Sequence, residues 1–445
     1  MLFKNQAELI ANGQTPSLRK KRRDVLTILD AAVRSVDPYN AVSSKIIKNR
    51  ICHGSTLIRI DDFQKVFLVG FGKASVGMAQ AVCDKIHVAK GVIITNDFSV
   101  KVNHPDIVTI YGGHPIPDEN SIEGTKAIEK LIADCTYDDL VIVVISGGGS
   151  ALLCHPRVSL DDMQKTTMLL LRSGATIAEI NTVRKHLSYV KGGNLFRRST
   201  CHVVSFIVSD VIDDPLESIA SGPTCGDDST YQDASIILRK YHLWDANTGS
   251  VRDVITDGMN SLIPETPSHN DDMFKNISNI IVANNLLACK AAFDKATELG
   301  YRPMILSTSV GGEASYVGND LLGRSRILFQ KGQITLCIAG GETTVNVCGD
   351  GVGGRNQEMV LSVVENLATT EQVFVSFATD GLDGVSPSAG AIADGLTFER
   401  SKNCDMGPSK YLFEHDSYSF FSRLNDVLLT GPTGTNVMDI QMVLL

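Results

Sequence analysis

Short apolar runs rich in β-branched residues alternate with helix-length segments along the first half of the chain. Residues 66–69, 91–95, 108–111, 140–145 and 203–208 are too short for helices and apolar on both faces, the pattern of strands buried under helices on either side. Between them, residues 78–86, 121–133, 160–171 and 177–190 carry apolar positions at helical spacing. Strands separated in this way predict βαβ units and a doubly wound, mostly parallel sheet. A second α/β pattern follows, with strands at 279–283, 303–306, 334–339, 373–378 and 427–429 and helices at 285–298 and from 313. Residues 241–278 are polar, contain Pro264 and Pro267, and read as a connection. The expectation is two α/β domains, 1–240 and 241–445, the first Rossmann-like.

In such sheets ligands bind beyond the carboxyl ends of the strands, and there the unusual residues gather. Ser146, Gly147, Gly148, Gly149 and Ser150 follow the strand at 140–145. One glycine would serve a plain strand-to-helix turn; three in a row suggest a backbone that lets an anion approach its amides. Gly70-Phe71-Gly72-Lys73 follows the strand at 66–69 but fits neither phosphate-binding fingerprint. A dinucleotide motif needs glycine where Ser75 stands, and a Walker A loop needs Ser or Thr where Ala74 stands. What survives is a lysine at a helix start, an unfavourable place for a cation unless an anion neutralises it.

Asp210 stands just past the run at 203–208, where it could bind a cation, accept a hydroxyl proton, or cap a helix. In the second half, Gly353-Gly354 before Arg355 would bring a guanidinium close to a phosphate. The Asp380-Gly381-Leu382-Asp383-Gly384 stretch lacks the ligand alternation of a calcium loop. His104, His114 and His155 each precede proline and read as turn residues.

Composition narrows the partners. The 445 residues carry a net charge of −9, so no global field draws the chain to nucleic acid or anionic membrane. The basic run at 19–23 reads as the solvated face of an amphipathic helix. Ten cysteines without a CxxC pair argue against zinc and a disulfide framework, and point to a reducing cytoplasm. The N-terminus lacks the apolar core of a signal peptide, and no apolar run approaches a membrane span.

The motifs GFGKAS (70–75), GGHPIPDENSIEGT (112–125), ISGGGSALL (145–153), NTVRKHLSYVKGGNL (181–195), SDVIDDPLESIASGPT (209–224), AGGETTVNVCGDGVGGRNQE (339–358), ATDGLDG (378–384) and TGPTGTNVMD (430–439) together resemble the class II glycerate 2-kinase family. The resemblance implies two α/β domains with the active site in their cleft, and transfer of the γ-phosphoryl of ATP to the 2-hydroxyl of D-glycerate. It implies Lys73 and Asp210 as catalytic, with Arg355 close to them. The substrate carboxylate is expected on Ser146, Gly147, Gly148, Gly149 and Ser150, helped by Arg184 or Lys191. Gly340, Gly341, Glu342 and Thr343 are expected at the nucleotide, with Glu342 and Asp380 holding Mg²⁺. The partners are then D-glycerate and ATP, with no nucleic acid or membrane, for a monomer or a homodimer. Some relatives carry the label hydroxypyruvate reductase, so an NAD(P)H-dependent reductase is the alternative. Two departures stand out: Asp213-Asp214 where relatives have Gly-Asp, and Ser388 where an acidic residue is common.

Overall fold

The computed structural model describes residues 2–54, 56–332 and 335–445. The chain divides into two compact units, residues 38–282, and residues 1–37 together with 283–445. The division therefore falls at 282/283 rather than 240/241, and the N-terminal segment groups with the later half. The long N-terminal helix α1 (Pro16–Ser35) packs on the helix Asn285–Glu298.

Burial of one residue explains much of this grouping. Arg22, expected on a solvated face, is fully buried. Its Nε donates to Asp394 at 2.5 Å and its Nη1 to Asp426 at 2.7 Å. Burial alone would raise the Asp426 carboxyl, yet Arg22 and Arg400 hold it below its ordinary range. Breaking such a buried pair costs about 3–5 kcal/mol because it strands a charge.

The main sheet of the 38–282 unit has six strands: β1 (Val66–Phe71), β2 (Lys90–Thr95), β3 (Ile107–Tyr111), β4 (Leu140–Ile145), β5 (His202–Val208) and β6 (Ile277–Ala283). Their order is β3-β2-β1-β4-β5-β6, and the pairings from β3 through β5 are parallel. Val69 of β1 lies beside Val92 on one side and Val143 on the other. Every residue of β4 is buried, as its unbroken apolar run requires. The chain's direction across the sheet reverses between β1 and β4, so the turns after these two strands flank the switch-point crevice. The expected connection at 241–278 contains the helix Gly249–Met259, which buries Val251 and Ile255 against the helix Tyr231–Lys240.

The other unit holds β7 (Pro303–Val310), β8 (Leu336–Gly341), β9 (Val373–Ala378), β10 (Gly390–Asp394) and β11 (Asp439–Leu444), in the order β7-β8-β11-β9-β10. Only β7 and β8 pair in parallel; the other neighbours are antiparallel. The strand expected at 427–429 is absent from this sheet, where Val427 makes a single isolated bridge to Ala391. The central position belongs to β11, buried along its whole length. Residue Ile334, expected to open β8, lies outside the described residues. Among the described residues no helix is long and apolar enough to cross a membrane.

Candidate active site

The turns after β1 and β4 are laced together. The amide of Lys73 donates to the carbonyl of Gly147 at 2.9 Å, and the amide of Ala74 donates to Ser146 Oγ at 3.0 Å. Ser75 opens helix α2 (Ser75–Cys83) and donates its hydroxyl to the carbonyls of Gly72 and Ile94. A buried serine with two local bonds thus occupies the place of a dinucleotide motif's third glycine. Lys73 extends its side chain into solvent at this crevice.

Gly148 has φ of 82°, and a Cβ there would stand 2.9 Å from His114 Cδ2 and 3.4 Å from Lys73 Cγ. His114, expected to be a turn residue only, therefore borders the site beside Lys73. Burial, and then the Lys73 charge, push its imidazole below the ordinary value, so the ring is kept neutral. Gly149 answers to packing, since a Cβ there would meet the Ala220 methyl at 2.8 Å.

Behind the turn lie two cations. Arg184, on α4 of the fold after the short α3 (α3, Gly149–Leu152; α4, Ile177–His186), donates its Nη2 to the Ser150 carbonyl at 3.0 Å. Lys191 donates its Nζ to the same carbonyl at 2.7 Å and to that of Leu153 at 2.9 Å. Lys191 is 1% exposed. Burial, and then Arg184, push its ammonium down to about 7. Burial also lowers Arg184, whose Nε is buried with no hydrogen-bond partner. Lys191, expected at the substrate carboxylate, is committed instead to the carbonyls behind the turn.

Asp210 stands half-buried just beyond β5. No helix begins there, which removes the capping role weighed for it. Asp213 and Asp214 have φ of 62° and 54°. Aspartate is among the side chains that tolerate this left-handed region. Asp97, beyond the carboxyl end of β2, is where a dehydrogenase would hold a ribose, but its Oδ1 accepts from the Ser99 amide at 2.8 Å and from its hydroxyl.

The unit containing residues 283–445 carries a pocket of about 550 Å³, lined by Glu342, Thr343, Thr344, Val345, Val347, Gly351, Gly353, Gly354, Arg355, Glu358, Gly384, Val385 and His415. Arg355 is the first residue of α5 (Arg355–Leu367). Its Nε and Nη2 grip Asp439 at 2.6 and 2.9 Å, and its Nη1 reaches Glu342 at 3.0 Å. Burial would lower the guanidinium, but Asp439 and Glu342 hold it above its ordinary value. Burial pushes the Asp439 carboxyl up to about 7, against the pull of Arg355.

Asp383 is fully buried at the amino end of α5. One Asp383 oxygen accepts from the Asn356 amide at 3.0 Å, the other from the Gln357 amide at 2.9 Å, and both side-chain amides add bonds. A carboxylate here satisfies orphan amides and matches the positive end of the helix dipole. Arg355 thus belongs to a different unit from Lys73 and Asp210, and its ion-pair partners lie within that unit.

Glu342 and Thr343 line the pocket, but Gly340 and Gly341 have another reason to be glycine. A Cβ on Gly340 would lie 1.9 Å from Asn285 Oδ1, and one on Gly341 would lie 2.3 Å from the Val310 carbonyl oxygen. Both are packing positions of β8. Asp380 is absent from the pocket wall and accepts the Leu382 amide at 3.0 Å. Ser388 is fully buried inside the same loop, where its Oγ meets that of Ser386. Among the described residues no group of three or more His, Cys, Asp or Glu is arranged to hold a metal. Sequence reasoning missed His114, Asp383, Glu358, His415 and Asp439, although His114, Glu358, Asp383 and Asp439 fall inside the quoted motifs. His415 pairs with Glu358 at 2.9 Å.

Comparison with known proteins fits both units. A family described as a domain of unknown function, DUF4147, matches residues 24–256, and the MOFRL family matches residues 335–439. A protein named glycerate 2-kinase from Pyrococcus horikoshii is 38% identical over 425 residues, covering 93% of this chain and 95% of that protein. One named D-glycerate 2-kinase from Thermotoga maritima is 37% identical, covering 93% and 96%. The chain belongs to this glycerate kinase family. A crystal structure named as a glycerate kinase from Thermotoga maritima superposes with a TM-score of 0.85 at 36% identity, covering 95% of this chain and 99% of that one. Within the glycerate kinase family, the DUF4147 match contains the Lys73 crevice and the MOFRL match runs from the start of β8 to Asp439.

Proposed function

We infer that this chain is an ATP-dependent glycerate 2-kinase, which transfers the γ-phosphoryl group of ATP to the 2-hydroxyl of D-glycerate. The observation that carries the reading is the switch-point turn at 146–150. It faces the Lys73 crevice, it is backed by two buried cations, and one of them has a buried nitrogen without a partner. Such a turn is an anion site, and glycerate differs from a plain polyol by its carboxylate. Phosphoryl transfer asks for positioning and charge stabilisation rather than covalent chemistry, and the residues supply that. In this reading Lys73 would place an ammonium on a phosphate and Asp210 would accept the hydroxyl proton, while Arg355, its plane fixed by Asp439, presents a guanidinium to the pocket of its own unit.

The nucleotide belongs with Glu342 and Thr343 in the pocket of about 550 Å³. Mg²⁺ is held in kinases by one or two carboxylates together with substrate phosphates, so a ready-made three-carboxylate cage is not required. Glu342, whose side chain is 45% exposed on the pocket wall, fits as such a carboxylate; Asp380 does not line that wall. A bound Mg²⁺ would neutralise phosphate charge. Among the described residues all ten cysteines are free, which fits a reducing cytoplasm. A reductase reading is disfavoured by Ser75 in place of glycine and by the occupied Asp97 carboxylate.

The test is to follow ADP release with ATP and Mg²⁺ on glycerate and on glycerol, and NADH loss with hydroxypyruvate. ADP release on glycerate alone is expected. Equal rates on glycerol would remove the carboxylate grip, and NADH loss without ADP release would establish the reductase.

A further inference from the structure

Two cations converging on one carbonyl is an expensive arrangement, and its purpose is local. The Ser150 carbonyl accepts from both Arg184 and Lys191, and the Leu153 carbonyl accepts from Lys191 as well. These carbonyls belong to the short turn of helix that follows the triple glycine. From the other side, Ser150 Oγ bonds Ser221 Oγ at 2.9 Å, and Ser221 in turn donates to Asn181 at 3.1 Å. The turn is therefore held from behind at its carbonyl ends while its front borders Lys73 and His114. No hydrogen bond of Lys191 Nζ is left for a substrate except its third N–H, which exists only in the charged form.

We propose that Lys191 is a positioning residue that staples the 146–153 turn through the Ser150 and Leu153 carbonyls, and that its positive charge behind the turn is needed for an anionic substrate to bind in front. This deepens the glycerate reading given above and rests on it for the identity of the anion. The ionisable groups that act on Lys191 are Arg184, from α4, and the buried Cys154 thiol, from the segment after the turn. Cys154 is itself raised by burial, with Asp118 and Glu119 acting on it from the helix Glu119–Ala133. No carboxylate is paired with Lys191 among the described residues, so an incoming anion is its natural counter-charge. With its ammonium pushed down to about 7, free Lys191 loses its proton as pH rises through neutrality. The effect on kcat/KM, which reports the free enzyme, follows the same sign: activity toward glycerate falls on the alkaline side.

The experiment compares the wild-type chain with Lys191→Arg and Lys191→Met in glycerate phosphorylation from pH 6 to 9, together with hydrogen exchange of the peptide spanning 146–153. Wild-type kcat/KM should fall above about pH 7, and that limb should disappear in the permanently charged Arg variant. The Met variant should lose about 100-fold in kcat/KM at pH 6, as expected when a reacting geometry shifts by an ångström, and the deficit should shrink toward pH 9 as the wild type loses its own charge. Its turn should also exchange faster than in the wild type. A limb that persists in Lys191→Arg, a flat wild-type profile, or wild-type kcat/KM in Lys191→Met would each overturn the proposal. If Lys191→Met does not fold, the Arg profile decides alone. If the wild type does not phosphorylate glycerate at all, the functional reading fails, while unchanged exchange of the turn in Lys191→Met would separately sink the staple.

Discussion

Replacing Lys73 by alanine should lower kcat/KM for glycerate phosphorylation by about 10³-fold, the scale of losing one preorganised group that meets developing charge. The melting temperature should hardly move. The Lys73 side chain is exposed, and the contacts that fix this turn are made by its backbone amide and by Ala74 and Ser75, which the substitution leaves in place. A variant with near-wild-type turnover would remove Lys73 from the chemistry. A variant that unfolds would assign it to the scaffold. Arginine at this position should restore little, since a planar fork on a longer stem does not reproduce a compact ammonium.

Replacing Arg355 by alanine should damage both activity and stability, in contrast to Lys73. Asp439 is fully buried, and both of its oxygens accept from the Arg355 guanidinium. Stranding it should cost about 3–5 kcal/mol. The loss has a pH signature. The Asp439 carboxyl already sits at about 7 because burial outweighs Arg355, and without Arg355 it moves higher. A carboxyl whose folded value lies above its unfolded value of ~4 favours folding when protonated, and that contribution is lost as pH rises through the folded value. The deficit of Arg355→Ala against the wild type should therefore be smallest and level below neutral pH, where both folded proteins hold the proton, and grow as pH rises above about 7 in urea denaturation. A deficit independent of pH between 6 and 9 would mean that Asp439 finds another partner. Because β11 is the central strand of its sheet and Asp439 is its first residue, the same substitution should also weaken the pairing of Asp439 with Gly341 and Ala378.

How much of this could be read from the sequence depends on whether the cause is local. The β1, β4 and β5 strands are buried parallel strands, so burial on both faces writes itself into unbroken apolar runs, and the special residues follow at their ends. The β10 strand, Gly390–Asp394, has Ile392 as its one β-branched residue among small and acidic ones, so no apolar run marks it locally. The central place of β11 is set by pairing with β8 and β9, partners roughly sixty to a hundred residues away along the chain, which no local pattern encodes. Arg22 looked solvated because its neighbours are charged; its acid partner Asp394 lies 372 residues further on. The helix Gly249–Met259 hid in a polar stretch because only one narrow face of it is buried.

The candidate site divides in the same way. The triple-glycine turn and Lys73 were legible because the residue types themselves are anomalous at those places. Lys191 was legible as a cation near the site but not as a buried one, since burial comes from α4 and the 149–154 segment closing over it. Gly340 and Gly341 suggested a ligand, whereas the close approach of Asn285 and of β7 accounts for them. Asp383 and Asp439 were overlooked in favour of Asp380, because a carboxylate's role as a helix cap or an arginine clamp appears only once the helix and strand are in place.

The most direct measurement is phosphorus NMR of the product formed from D-glycerate, ATP and Mg²⁺ by the intact chain. If the carboxylate is held on the turn at 146–150, the adjacent C2 oxygen is the one within reach of Asp210, and 2-phosphoglycerate should be the dominant signal beside ADP. A dominant 3-phosphoglycerate signal would contradict both the placement of the carboxylate and the role of Asp210.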